Sequence, residues 1–195
     1  ERLARPRTVA GVDVGYSRAT DLCCAAAVLW DVEQGEVIET AQASGRATFP
    51  YVPGLLTFRE GPHALAALER LRTQPDVLLF DGQGQAHPRR MGIAAHLGVI
   101  LDAPTIGCAK SRLVGDHDEP GQERGAWSEL MHKGVCVGRA LRTRAGVKPV
   151  FVSAGHRTDI ESATRVVMAC VTRFRLPEPT RLAHSHVRAA LAGTP

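Results

Sequence analysis

Hydrophobic positions cluster first in two runs, Thr8 to Val14 and Cys23 to Val32, with a polar stretch from Tyr16 to Asp21 between them. Two apolar, β-branched runs joined by turn-forming residues predict a strand hairpin. A third strand is predicted from Glu36 to Arg46, after a turn at Glu33-Gln34-Gly35, and the short spacings favour an antiparallel meander. Phe49-Pro50-Tyr51-Val52-Pro53-Gly54 interrupts this pattern. Two prolines remove ladder donors and force their neighbours into extended or turn conformations, so a rigid loop is expected. Leu55, Phe58, Leu65, Leu68 and Leu71 then recur at helical spacing, predicting a helix from Leu55 to Arg72 with a kink or restart at Gly61-Pro62.

Val77-Leu78-Leu79-Phe80 is a continuous apolar run ending in Asp81-Gly82, the pattern of a strand buried on both faces. A helix from Met91 to Leu101 and a strand from Thr105 to Cys108 follow, giving the alternation of an α/β protein. Gly115 to Gly125 reads as a solvated loop, and Val135 to Arg142 with Pro149 to Ser153 as a late strand pair. Thr158 and Glu161 have capping-box spacing before a helix that starts near Asp159, and Pro179 to Leu191 reads as a last helix. The expectation is an α/β fold: a mixed β-sheet, antiparallel in its first three strands and then parallel, flanked by helices. No repeat or composition break divides residues 1–195, so one domain is expected.

With 44% hydrophobic and 23% charged residues among 195, the composition excludes a disordered or low-complexity chain. The longest apolar run, Cys23 to Trp30, is far shorter than the ~20 residues of a membrane-spanning helix. Nothing near the basic N-terminus reads as a secretory signal, and a cytoplasmic location is expected. Cys23, Cys24, Cys108, Cys136 and Cys170 contain no C-x-x-C pair and sit in apolar segments, which predicts buried free thiols. A net charge of +4 permits a polyanionic partner without establishing one.

Three carboxylates occupy suggestive positions: Asp13 at the end of the first strand, Asp81 at the end of the buried strand, and Glu60 on the helix after the proline loop. Together they suit a hard divalent cation, which takes oxygen ligands and substrate phosphate oxygens. Singly, each fits an ordinary turn or first-turn helix role, and Asp159 fits a helix cap. Lys110 follows a strand, where it could neutralise a phosphate or simply meet solvent. His87 and His156 lie among glycines and basic residues. His184 and His186, two positions apart, project from different faces of a helix and are read as surface residues. Tyr51, between two prolines, is either a stiff wedge for a nucleic-acid base step or an anchor that turns inward.

Five segments in order, Gly11-Val12-Asp13-Val14, Pro50 to Leu56 running into Phe58-Arg59-Glu60, Asp81-Gly82-Gln83-Gly84 through His87-Pro88-Arg89, Lys110-Ser111 with Leu113, and Gly155-His156-Arg157-Thr158-Asp159, resemble the endonuclease V family. The resemblance implies a ribonuclease H-like fold and an Mg²⁺-dependent repair endonuclease, with Mn²⁺ as a substitute ion. Such an enzyme would recognise deoxyinosine and hydrolyse the second phosphodiester bond 3′ to it, leaving 3′-hydroxyl and 5′-phosphate ends. By the same resemblance Asp13, Glu60 and Asp81 would hold the metal, and Asp159 would lie close by. Lys110 and His87 would support the scissile phosphate, and Pro50, Tyr51, Val52 and Pro53 would form a strand-separating wedge. Gly54, Leu56, Gly82, Gly107, Ala109 and Leu113 would line the pocket of a flipped base. The implied partner is DNA containing deoxyinosine, bound by a monomer away from membranes. RNA containing inosine is the alternative, because no residue identifies a reader of the 2′-hydroxyl. A non-catalytic inosine-binding module is a third reading, opposed by the acidic set, which would repel phosphate without a cation.

Overall fold

In the computed structural model, which describes residues 2–17, 20–52 and 54–193, the first three runs form strands β1 (Thr8–Tyr16), β2 (Leu22–Asp31) and β3 (Glu36–Arg46). They pair antiparallel, β1 with β2 and β2 with β3. Helix α1 (Leu56–Leu68) leads to β4 (Val77–Phe80), and α2 (Ile93–Leu101) to β5 (Thr105–Ala109). Both β4 and β5 run parallel to β1. Then come β6 (Trp127–His132), β7 (Val135–Leu141), β8 (Val150–Ala154), α3 (Ile160–Ala169) and α4 (Glu178–Ala192). Among the described residues, the strands make one mixed sheet in the order β3-β2-β1-β4-β5-β8-β7-β6.

Alternation along the strands sorts side chains onto two helical layers. Ala10, Val12, Leu78 and Phe80 pack with Ala64 and Ala67 of α1 and Ile93 and Leu97 of α2. On the opposite face Val9, Leu79, Ile106 and Val152 meet Ala163, Val166 and Val167 of α3, while Cys24, Ala26 and Val28 meet Ala183 and Val187 of α4. Gly11 and Gly15 lie on this second face, where a Cβ would collide with the Pro179 backbone and with Val187. Their missing side chains let α4 rest directly on β1.

The structure departs from expectation at several places. Helix α1 continues through Gly61-Pro62 without a restart, with buried Gly61 close against Leu97 of α2. Strand β6 lies in a stretch for which the sequence predicts no element, between the Gly115–Gly125 loop and the late strand pair, and it pairs antiparallel with β7. Its sequence Trp-Ser-Glu-Leu-Met-His lacks β-branched residues, and only Leu130 is fully buried. The cap of α3 is Asp159, which accepts from the Ser162 amide, so the Thr158–Glu161 capping box does not form. Cys136 is exposed, whereas the other four cysteines are buried, and all five are free. No described helix is long and apolar enough to cross a membrane.

Candidate active site

Because β1, β4 and β5 are parallel, their C-terminal ends open along one edge of the sheet. Asp13 lies near the end of β1, Asp81 directly follows β4, and Lys110 directly follows β5. The Asp81 amide donates to the Val12 carbonyl at 2.9 Å, which ties the end of β4 to β1 beside Asp13. Lys110 Nζ forms an ion pair with Asp81 Oδ2. Asp13 is buried, and His184 of α4 places Nδ1 2.8 Å from Asp13 Oδ2. Asp13, Asp81 and His184 each offer a ligand atom, and these atoms all lie within 4.8 Å of one another.

Glu60 completes the acidic set from α1. Burial, followed by the charges of Asp13 and Asp81, pushes its carboxyl up to about 8 against the pull of Arg59. Burial and then the neighbouring Asp81 also raise Asp13, partly offset by His184 and Lys110. Crowded, buried carboxylates of this kind stay ionised only when a positive charge joins them. Two carboxylates and an imidazole, with a third carboxylate at hand, therefore fit a divalent cation that accepts oxygen and nitrogen ligands.

His184 read from sequence as a surface residue, so its place in this cluster corrects that reading. Only one histidine of the pair takes part; His186 instead lies 3.4 Å from the Gln42 amide nitrogen. The available signal was Gly11-x-Asp13-x-Gly15: small residues flanking Asp13 on one strand face announce an element packed directly over it.

Asp159 is the second correction. Strand β8 runs antiparallel to β5, with Ala154 opposite Ile106, so the chain leaves β8 at the edge opposite Asp81 and Lys110. There both Asp159 carboxylate oxygens are engaged by Ser162, from its amide and its hydroxyl, each at 2.8 Å. Asp159 caps a helix away from the acidic cluster.

Next to the cluster lies a cavity of about 130 Å³ lined by Tyr51, Val52, Gly54, Leu56, Thr57, Gln83, His87, Gly92, Ile93 and Leu113. Gly54, Leu56 and Leu113 are thus on its wall, together with His87. Gly82, Gly107 and Ala109 instead lie behind that wall: a Cβ on Gly82 would strike Ile93, one on Gly107 would strike the backbone of residues 82–84, and Ala109 packs with Ala86, Leu130 and Phe151. The Arg89 amide donates to His87 Nδ1 at 3.2 Å, and the Arg89 guanidinium donates to the Gly54 carbonyl at 3.1 Å. Burial, then the charge of Arg89, lowers the His87 pKa and favours the neutral ring, although a hydrogen bond with Gly54 opposes the shift. Gln83 Nε2 donates to the Ser111 carbonyl at 3.0 Å, which fixes Oε1 as a buried acceptor without a protein partner.

Pro50, Tyr51 and Val52 stand exposed above this cavity, with Tyr51 58% accessible, so Tyr51 is not an inward anchor. Pro53, the last residue of the expected wedge, lies outside the described residues.

The Endonuclease V family model matches residues 1–185. Endonuclease V of Roseiflexus sp. is 59% identical over 177 residues, covering 91% of this chain and 79% of that protein. The crystal structure of Endonuclease V from Streptomyces avermitilis superposes with a TM-score of 0.95 at 47% identity, over 98% of this chain and 85% of the other. Endonuclease V of Ciona intestinalis, in complex with a 24mer DNA containing an inosine followed by a ribo-adenosine, superposes with a TM-score of 0.85 at 29% identity, over 98% and 88% of the two chains. With a match over nearly its whole length and relatives this similar, the chain belongs to the endonuclease V family and is a nuclease.

Proposed function

We propose that this nuclease recognises deoxyinosine in DNA and, with Mg²⁺ or Mn²⁺, hydrolyses the second phosphodiester bond on its 3′ side, leaving 3′-hydroxyl and 5′-phosphate ends. The observation that carries the reading is one of arrangement. A cation-ready cluster of carboxylates and a histidine adjoins a small, partly open cavity beneath an exposed proline-rich loop, and a relative of the same fold is known bound to inosine-containing DNA.

Asp13, Asp81 and His184 would hold the cation, with Glu60 beside them. When bound, it supplies positive charge that acidifies water and stabilises charge developing on phosphate oxygens. Lys110, held at Asp81, adds a donor for a phosphate oxygen on the same edge. His184 fixes the orientation of the Asp13 carboxylate. Pro50, Tyr51 and Val52 would enter the base stack, and the cavity would receive the flipped base. Its lining of Gly54, Leu56, Ile93 and Leu113 excludes bulk, while the Gln83 acceptor and backbone groups supply polar contacts. His87 secures the loop at the rim of the cavity through its hydrogen bond with Gly54. No protein nucleophile is needed, so no covalent intermediate forms.

The test is cleavage of end-labelled DNA and RNA strands of the same sequence, each with one inosine or a guanosine control, in Mg²⁺ or EDTA. An Mg²⁺-dependent nick at the second 3′ bond of the DNA is expected. The same cut confined to RNA would move the substrate to inosine-containing RNA, and binding without any cut would overturn the catalytic reading.

A further inference from the structure

On the far side of Tyr51 from the small cavity lies a second, wider one of about 610 Å³, lined by Tyr16, Asp21, Ala47, Thr48, Phe49, Pro50, Tyr51 and Arg59. Tyr51 belongs to both walls, so the exposed loop separates two cavities rather than capping one. We propose that the wider cavity is a second nucleobase site, which takes the base left unpaired opposite the flipped inosine.

The lining has the chemistry of a base site. Aromatic residues make up only 5% of the chain, yet both of its tyrosines and one of its five phenylalanines, Phe49, line this cavity, with the Phe58 ring in tilted contact with Phe49 at 5.6 Å. The Tyr16 and Tyr51 rings stand 6.4 Å apart at 33°. Two rings that hold a base between them stand roughly 7 Å apart, twice the ~3.4 Å step of stacked bases. The exposed Tyr51 must therefore turn and move for its ring to face Tyr16 across a base.

Arg59 fixes the floor. Its guanidinium lies 4.8 Å from the Tyr16 ring centroid, donates to the Phe49 carbonyl at 2.7 Å and to Asp21 Oδ1 at 3.2 Å, and belongs to a residue only 7% exposed. Its Nε is buried with no protein partner. Asp21 already balances the guanidinium charge and would repel a phosphate, so the cavity suits an uncharged aromatic ligand and not the backbone of a strand.

The geometry identifies which base. A loop inserted into a duplex to hold one base in the small cavity leaves its former partner without a hydrogen-bonding face to meet. The wider cavity opens on the other side of the same tyrosine, and stacking there is tolerant of base identity because every base has a π-face.

This inference rests on the inosine reading above, and its test separates the two. Single-turnover cleavage is measured for inosine in a single strand, in a duplex with thymine opposite, and in a duplex with an abasic site opposite. The Tyr16→Ala variant should lower the ratio of thymine-duplex to single-strand rate by about tenfold, the scale of losing one base-aromatic stack. The Tyr16→Phe variant should keep it, and the abasic-duplex ratio should be the same in all three proteins. A Tyr16→Ala loss that is equal on single strand and duplex, or that persists opposite the abasic site, overturns the proposal. Should the unaltered protein cut none of the three, the inosine-cleavage reading fails by itself. The second site is then judged from dissociation constants for the two duplexes in EDTA: a preference for the thymine duplex that Tyr16→Ala abolishes supports it, and no preference overturns it.

Discussion

Crowding defines the residue scale of this site. Asp13, Glu60 and Asp81 are brought together against their mutual repulsion, and Lys110 alone cannot neutralise them. Removing Asp81 takes away a proposed cation ligand and the partner of Lys110 but touches neither cavity wall. Asp81→Ala should lower inosine-directed cleavage by about 10³-fold or more while inosine-DNA affinity, measured by fluorescence anisotropy, changes only a few fold; retained cation-dependent cutting would refute the assignment. His184 bears on the same centre from α4. His184→Ala should weaken Mn²⁺ binding by roughly 10- to 100-fold, read by calorimetric titration with far-UV circular dichroism unchanged. An unaltered Mn²⁺ affinity would remove His184 from the ligand set.

At the scale of elements, the site depends on α4 lying against β1, and Gly11 permits it. A methyl group there overlaps the Pro179 backbone, and backbone cannot swing aside as a long side chain can. Gly11→Ala should therefore cost about 3 kcal/mol or more of folding stability in denaturant titration, and should weaken cation binding too, because α4 carries His184. Stability within ~0.5 kcal/mol of the parent would show that α4 tolerates the displacement. These elements also show what was legible beforehand. Val77–Phe80 and the three N-terminal runs announced themselves because a buried strand must be continuously apolar and a turn must break it. Strand β6 stayed hidden because an edge strand with one fully buried side chain has almost no pattern to display. Asp13, Glu60 and Asp81 were legible as strand-end and helix carboxylates. Asp159 was misplaced because nothing local to it encodes that β8 runs antiparallel to β5, and direction decides at which edge of the sheet a residue emerges. His184 was missed for the converse reason: its role depends on a helix 171 positions from Asp13 in the chain, recorded only in the glycines that make room for it.

The whole molecule carries a formal charge of +4, which draws a polyanion in, while the reacting edge is locally acidic. A bound cation reconciles the two, and folding stability should report it. Glu60 sits at about 8 in the folded chain against an ordinary 4.5. Between those values the folded protein keeps a proton that the unfolded chain has lost, so this group's contribution makes stability fall as pH rises from ~4.5 through ~8 and level off above. Glu60→Gln removes that contribution without changing the shape of the side chain. In EDTA the variant should melt at the parent's temperature near pH 4.5 and at least ~3 °C above it at pH 8.5, the shift expected from about 1 kcal/mol in a chain of this size. Millimolar Mg²⁺ binds the folded state only, so it should raise the parent's melting temperature most where Glu60 is ionised, narrowing the gap at high pH. Calorimetric melts of both proteins across this range, with and without the ion, decide the matter. Parallel pH profiles in EDTA would mean that Glu60 is neither desolvated nor held among its neighbours' charges, and the candidate cation site would then consist of Asp13, Asp81 and His184 alone.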